Sequence, residues 1–403
     1  MFMLFFISLP FGDLPGVSGS PYVLSYDSLN LRVVGYWPFG SVGYLLLDTL
    51  RNVAFVRSGG GVYIFDISNP SSPVKISEDI HMKAAEYCAY YPPFYDESSC
   101  VLYLPCGIGG IALWDVSNPF SPVLLAARKD RYIESLVPVG DYLFASLDTM
   151  IYIFEDSSLS LVDSFTVIDY ARYLFLHGNY LYIGGSGFLE VFDVSSPLSP
   201  VFMDSLLLSG YVYDMDVKED YLYLPDGDGL WVIEISDPAN LSRAYFYDFP
   251  QDYAYFLDIY GNLCWASSQD SSYLFDISTL SSPVYLSAYP SFSCGCEVHG
   301  SKVYITDGWD LFEVVDITNV SSPVKVYSCE TPYSYFESSL VKIGSYVYLS
   351  DHTYNLNGRI WVLDISSIKE PYEVTHFGVP DAVNDFFLSG MRLYAAMGDT
   401  GVW

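Results

Sequence analysis

The chain has 403 residues, with 17 basic and 48 acidic side chains, and carries a net charge of −31. Such a field repels nucleic acid and anionic membrane surfaces, so neither is an expected partner. Hydrophobic residues make up 51% and aromatics 18%, which excludes global disorder.

From the N-terminus, Met1-Phe-Met-Leu-Phe-Phe-Ile-Ser-Leu-Pro10 is a short apolar run followed by Gly/Ser-rich sequence to Ser20. It lacks a basic n-region and reads as a degraded or truncated export signal, with a frayed strand as the other reading, so residues 1–20 are set aside as a leader. No later stretch has the apolar length needed to span a bilayer. Leu31-Arg-Val-Val-Gly-Tyr-Trp37 has the pattern of a last strand with no blade before it.

A phrase then recurs: an apolar strand, an acid, a small hydroxyl residue and usually proline. Its first clear copy is Val62-Tyr-Ile-Phe-Asp-Ile-Ser-Asn-Pro70. The acids are Asp66, Asp115, Glu155, Asp193, Glu234, Asp276, Asp316 and Asp364, spaced 38 to 49 residues apart. That spacing is the period of four-stranded propeller blades. One unit shows all four strands. Tyr170–Gly178 and Asn179–Gly184 are the first and second, Phe188–Val194 the third, and Val201–Leu206 the fourth. Turns rich in Gly, Asn, Ser and Pro separate them, and no sustained 3.6-residue periodicity points to helix. At the far end, Met391–Met397 has the second-strand pattern, and Gly401-Val-Trp403 opens a third strand that stops before its acid. The expectation is an all-β protein: a single propeller over 31–403 of four-stranded antiparallel blades. Eight blades are preferred and nine are the alternative, with a strand exchanged between the ends or a coding sequence truncated at the C-terminus.

The phrases Phe65-Asp-Ile-Ser-Asn-Pro-Ser-Ser-Pro-Val74, Trp114-Asp-Val-Ser-Asn-Pro-Phe-Ser-Pro-Val123 and Val315-Asp-Ile-Thr-Asn-Val-Ser-Ser-Pro-Val324 resemble the LVIVD repeat. That family comprises bacterial and archaeal proteins, many exported or surface-associated. The resemblance implies a β-propeller in an extracellular or cell-surface setting, and it implies no reaction. The copies at Glu155, Glu234 and Asp364 depart from the pattern in their turns.

The recurrent acids invite a catalytic or metal reading, but a role repeated in every blade is structural: each carboxylate can accept N–H groups of the turn that follows. Asp226-Gly-Asp-Gly229 looks like a calcium loop but lacks the spacing and closing Glu of one, so it reads as a tight hairpin. The histidines, among them His177 and His299 before turn glycines, share no ligand spacing. Seven cysteines, an odd number, show no paired zinc spacing, and both buried thiols and one or two disulfides are compatible with them. No catalytic residue, metal or cofactor is expected.

Positions where the repeat fails to repeat are better candidates. Counting six residues back from the turn that ends each first strand gives Glu134, Arg172, Asp214, Tyr255, Cys294, Ser338 and Asn384, and Glu86 is the counterpart in a blade with an insertion. Tyr132, Tyr170, Tyr211, Tyr253 and Tyr335 precede several of them. First strands line a propeller's channel, so Glu86, Glu134, Arg172, Asp214, Tyr255 and Asn384 form a candidate binding rim over an aromatic collar. Two lengthened loops, carrying Tyr90, Tyr91 and Phe94 and carrying Tyr354, are further candidate contacts. The expected activity is binding of a protein or glycan through one face. The alternatives are a channel-mouth hydrolase or lyase around Glu134, Arg172 and Asp214, and a purely structural module of a larger surface protein.

Overall fold

Short apolar runs between turn signals become β-strands, and the described residues contain no helix. The computed structural model describes residues 42–81, 91–107, 109–129, 131–249, 253–268, 270–291, 293–307, 311–330, 340–352, 358–366, 372–379, 383–389, 392–397 and 401–402. Their strands make nine antiparallel sheets, seven of four strands and two of three. Leu31–Trp37 lies outside the described residues.

The sheets fall into two compact units. The smaller holds two of them: one built from Leu340–Ile343, Tyr346–His352, Gly358–Asp364 and Tyr372–Val379, the other from Val383–Ser389, Arg392–Met397 and Gly401–Val402. The larger unit, residues 42–331, holds seven consecutive sheets. Its first sheet consists of β1 (Val42–Asp48), β2 (Val53–Ser58), β3 (Gly61–Asp66) and β4 (Val74–His81), paired in chain order.

First strands touch the first strands of neighbouring sheets and gather at the centre. Fourth strands form the solvent edge, as the exposed Leu161–Thr166 shows. Between sheets lie apolar seams. Phe55, Ile64, Leu104 and Trp114 join the first and second sheets, and Phe256, Trp265, Ile305 and Val315 join the sixth and seventh. Each fully buried side chain of this size contributes on the order of 2 kcal/mol, so the seams supply most of the folding drive.

The seventh sheet meets the first and closes the ring. Thr306 Oγ1 donates to the Gly43 carbonyl, and the rings of Phe65 and Phe312 lie 5.0 Å apart. Both sheets are contiguous in sequence, so this closure packs face against face and exchanges no strand. Nine sheets are described, the number the repeat gave as the alternative to eight, and the seven of the larger unit complete a ring.

The recurrent acids are turn-builders. Asp66, Asp115, Asp193, Asp276, Asp316 and Asp364 each accept the N–H two residues on, at 2.7–2.8 Å. Those bonds hold the carboxyls below the usual range, Asp316 at about 2 with help from Lys302. Glu155 and Glu234, one methylene longer, instead accept serine hydroxyls. The Asp226 hairpin is structural too. Its buried carboxylate accepts N–H groups of Ser209 and Asp228, the Ser209 hydroxyl and the Trp231 indole.

Another repeated feature is a bulge between third and fourth strands. The register shifts one or two residues before each of the eight acids, as between Ile64 and Phe65 and between Leu274 and Phe275. The skipped fourth-strand residue is always apolar: Ile76, Leu125, Val162, Met203, Ala244, Leu286, Val326 or Val374. Such bulges increase the twist of the outer strand and blunt the exposed edge.

Two stability predictions test this architecture. A Cβ on Gly295 would lie 3.0 Å from the Gly43 carbonyl oxygen and from the Tyr44 Cα, so Gly295→Val should lower stability by about 1–3 kcal/mol in chemical denaturation by wedging the closing seam. Asp316→Ala should cost about 1 kcal/mol, and the loss should shrink as the pH falls from 4 toward 2, where Asp316 in the parent protein becomes protonated.

Candidate functional site

A first strand is an open sheet edge, with outward N–H groups that need acceptors. In the third to seventh sheets a side chain of one first strand often supplies the acceptor for the next. Ser135 Oγ accepts the N–H of Leu174 at 3.1 Å. Asp214 Oδ2 accepts that of Leu257 and Asp216 Oδ2 that of Ile259, both at 3.0 Å, and Asp258 Oδ2 accepts that of Val298. The other oxygens of Asp214 and Asp216 bind the N–H of the next residue, at 2.9 and 2.6 Å.

These clasps bring Asp214, Asp216, Asp258 and Glu297 into one another's fields. All four are half-buried. Burial raises every one. Asp214 is pushed up to about 7 and Asp258 to about 6, each partly offset by its N–H bonds. Asp216 and Glu297 rise well above the carboxylate range, by burial and then by the neighbouring charges. Burial also pushes up the thiols of Cys264 and Cys296 beside them, which keeps them unreactive. Among the described cysteines, Cys100, Cys264, Cys294 and Cys296 are free thiols. Among the described residues no group of His, Cys, Asp or Glu is placed to hold a metal.

Several residues found by counting, Asp214 among them, lie near one another. Tyr44, on β1, is their meeting point. Its hydroxyl donates to the Tyr213 carbonyl at 2.9 Å, and burial and the charge of Asp214 raise it well above its usual value, with Arg172 opposing. Cys294 is near enough to act on the same hydroxyl. The Arg172 guanidinium lies 4.3 Å from the centre of the Tyr213 ring. Buried Glu134 accepts the Tyr170 hydroxyl, and burial raises its carboxyl against the pull of that bond and of Arg172. Tyr255 packs edge-on against Tyr213 at 5.1 Å.

Exposed tyrosines stand beside the inner ones on one side. Tyr211 and Tyr253 are 48% and 58% exposed, and their rings lie 6.3 Å from Tyr213 and 6.5 Å from Tyr255 respectively. Four tyrosine rings thus run from solvent down to Arg172 and Asp214.

The other candidates divide. Glu86, Tyr90, Ser338, Tyr335 and Tyr354 lie outside the described residues. Asn384 is in the strand Val383–Ser389 of the smaller unit, and its side chain is outside the description. Tyr91 is half-buried, its hydroxyl bonded to that of Tyr132. Phe94 opens the strand Phe94–Asp96 and packs 5.9 Å from Tyr103, so it serves a seam and offers little ring to a ligand.

Counting missed Tyr44, Tyr213, Asp216, Asp258 and Glu297. The turn before β2 has no glycine to count from, which hid Tyr44. Asp216 lies two residues past its rim position, and Asp258 and Glu297 lie three past theirs, so a single counted position per strand passed over them.

Four-stranded sheets in chain order, first strands inward and a closed ring define a β-propeller. The family model described as LVIVD repeat matches residues 52–78, 169–207, 209–248 and 293–331, so the chain carries LVIVD repeats in four places, all within the seven-sheet unit. No curated protein matches. Among solved structures, the computationally designed Ika8 protein is 13% identical, with 90% of this chain and 95% of that chain covered and a TM-score of 0.47. BamB from Moraxella catarrhalis is 13% identical, with 75% and 89% covered and a TM-score of 0.43. Likenesses this loose say nothing of what this chain binds.

The two populations of acids have opposite linkage. Asp214 and Asp258 hold protons more tightly folded than unfolded, where the value is 3.8. Their contribution is complete below about pH 4 and is lost as the pH rises through 6 and 7. The turn acids contribute above about pH 4 and lose it below. Stability should therefore peak near pH 4–5 and fall toward pH 8. Glu297→Gln, which removes one of four mutually repelling carboxyls, should flatten that fall and raise the melting temperature at pH 8. An unchanged slope across pH 4–8 would sink the idea.

Proposed function

We propose that this chain is a non-catalytic exported or cell-surface propeller that binds a protein or glycan through the face where the first strands begin. The observation that supports this reading most is the line of tyrosines Tyr211, Tyr213, Tyr255 and Tyr253, which leads from solvent to Arg172 and Asp214. Flat amphipathic rings at a rim stack on sugar faces or peptide side chains, and polar groups beneath them fix orientation. Tyr213, Tyr255 and Asp214 also serve the fold, but Tyr211 and Tyr253 stand exposed at the end of the line. The LVIVD repeats accord with an extracellular setting. The described residues contain no helix long and apolar enough to cross a membrane.

A second reading, a channel-mouth hydrolase or lyase, draws on one observation. Asp214 and Asp258 are held at about 7 and about 6, where a carboxyl can exchange protons at neutral pH. Against it, the oxygens of Asp214 are taken by the Leu257 and Met215 N–H groups, and Asp258 is tied to Val298.

Glycan and peptide arrays probed with the whole chain separate the readings. Binding that drops at least about 10-fold in Tyr211→Ala and Tyr253→Ala, both exposed and tolerant of truncation, supports the binder. Equal binding by parent and variants rejects this face. Turnover of a nitrophenyl glycoside panel that disappears in Asp214→Asn would favour the enzyme.

A further inference from the structure

The tyrosine line stands on the face where first strands begin. Each sheet runs in chain order, so that face also carries the hairpins between second and third strands and the ends of the fourth. Charge is segregated along these strands. In the fourth to sixth sheets Asp169, Asp228, Asp248 and Asp270 stand exposed on the tyrosine face. From Tyr173 to Glu330 the basic residues are Lys218, Arg243, Lys302 and Lys325, and all lie toward the opposite ends of their strands. There Lys302 and Lys325 pair with Asp316 and Glu313, and Arg243 lies over the Trp231 ring. Arg172 is the one base beside the tyrosines, and its guanidinium is engaged over Tyr213 within the field of buried Glu134.

The second hairpin of the fifth sheet runs between the two exposed tyrosines. A Cβ on Gly227 would lie 3.9 Å both from the Tyr211 nitrogen and from Tyr253 Cδ1. Exposed Asp228 is the next residue. The face of a tyrosine ring is electron-rich and attracts cations, and Arg172 over Tyr213 is that contact made within the chain. Tyr211 and Tyr253 carry the same chemistry to solvent, with carboxylates nearby and no competing base on their side of the sheets. A neutral sugar gains nothing from this segregation, and an acidic one is repelled by a chain of net charge −31. A basic peptide gains both the field, which steers its approach, and the rings, on which a flat guanidinium stacks.

We propose that the partner of the tyrosine line is a peptide segment bearing arginine or lysine, its cationic side chains seated over the exposed rings of Tyr211 and Tyr253 beside Asp228. This inference rests on the reading of that face as a binding surface and names the chemistry of its ligand.

Fluorescence anisotropy of the whole chain tests it with three labelled probes: a short peptide of glycine, serine and arginine, the same peptide with citrulline for arginine, and a neutral chitin oligosaccharide. The arginine peptide should bind saturably, and the citrulline peptide, which keeps the shape and loses the charge, at least about 10-fold more weakly. Tyr211→Ala combined with Tyr253→Ala leaves the net charge unchanged and should weaken the arginine peptide roughly 10-fold, the scale of two exposed cation–ring contacts. Asp228→Asn should weaken it about 3-fold, a rim charge near the rings. Asp220→Asn, the same change at an exposed turn on the opposite face, should leave it unaltered. Equal binding of the arginine peptide by the parent and the double tyrosine variant would show attraction to net charge alone and overturns the proposal, as does equal binding of the citrulline peptide. Tyrosine-dependent binding of the oligosaccharide without the arginine peptide also overturns it, while leaving the binding face in place. No binding of any probe overturns it too, and the array experiment then decides whether the face binds at all. Should the double variant fail to fold, Tyr253→Ala alone serves, with a loss of about 3-fold expected and none refuting the site.

Discussion

A ring of sheets leaves one strand edge of every sheet pointing at the centre, where the N–H groups of that edge have no ladder to join. This constraint shapes the interior of the larger unit. Water could satisfy those groups, but in the third to seventh sheets side chains do so repeatedly, and three of the four acceptors are carboxylates: Asp214, Asp216 and Asp258. Each clasp ties one sheet to the next through a backbone atom, so it fixes register as well as proximity. The consequence is charge concentrated where water is scarce. Raised carboxyls at the centre are thus a by-product of closing the ring, and they need no catalytic purpose.

Outer edges are managed differently. The acid after each third strand folds back on its own turn, and the register shift just before it throws one apolar residue out of the ladder. The turn starts the fourth strand in a set direction and the bulge twists it. Exposed valines such as Val74, Val123, Val201, Val284 and Val324, all 55–57% accessible, stand at the same place in five sheets. Their uniformity identifies them as products of turn geometry, the Pro-Val element of the repeat.

Much of this was legible in the sequence because repetition exposes what every blade needs. Strand order, the turn role of Asp66 and its counterparts, and the hairpin at Asp226 followed from spacing and turn chemistry. The bulge was visible only as an apolar residue two places after the Pro-Val valine, a signal that alternation alone would dismiss. Glu134, Arg172, Asp214 and Tyr255 could be picked out by position, but their neighbours could not. Tyr44 joins them from 90 residues before Glu134 because the ring closes, and closure is a long-range event that no local pattern encodes. Ring size is hidden for the same reason: period sets the blade, whereas the angle between seams sets how many blades meet. That angle depends on side-chain volumes such as those of Phe65 and Phe312.

Identical residue types therefore carry opposite meanings according to depth. Asp316 and Asp258 are both aspartates on strands of the same unit, and both accept backbone N–H groups. On the surface the bond lowers the carboxyl, because water already pays the solvation of the charge and the N–H adds to it. At the centre the same bond only reduces a rise that burial imposes. A chain that places acids in both locations is pulled in two directions by pH, and only a moderately acidic medium satisfies both. The tyrosine line ends at the deeper set, so the protonation of Asp214 changes the charge that Tyr44, Tyr173 and any bound molecule meet there. A ligand bound there that favoured one charge state of Asp214 would shift the folding equilibrium with it, through the same carboxyl.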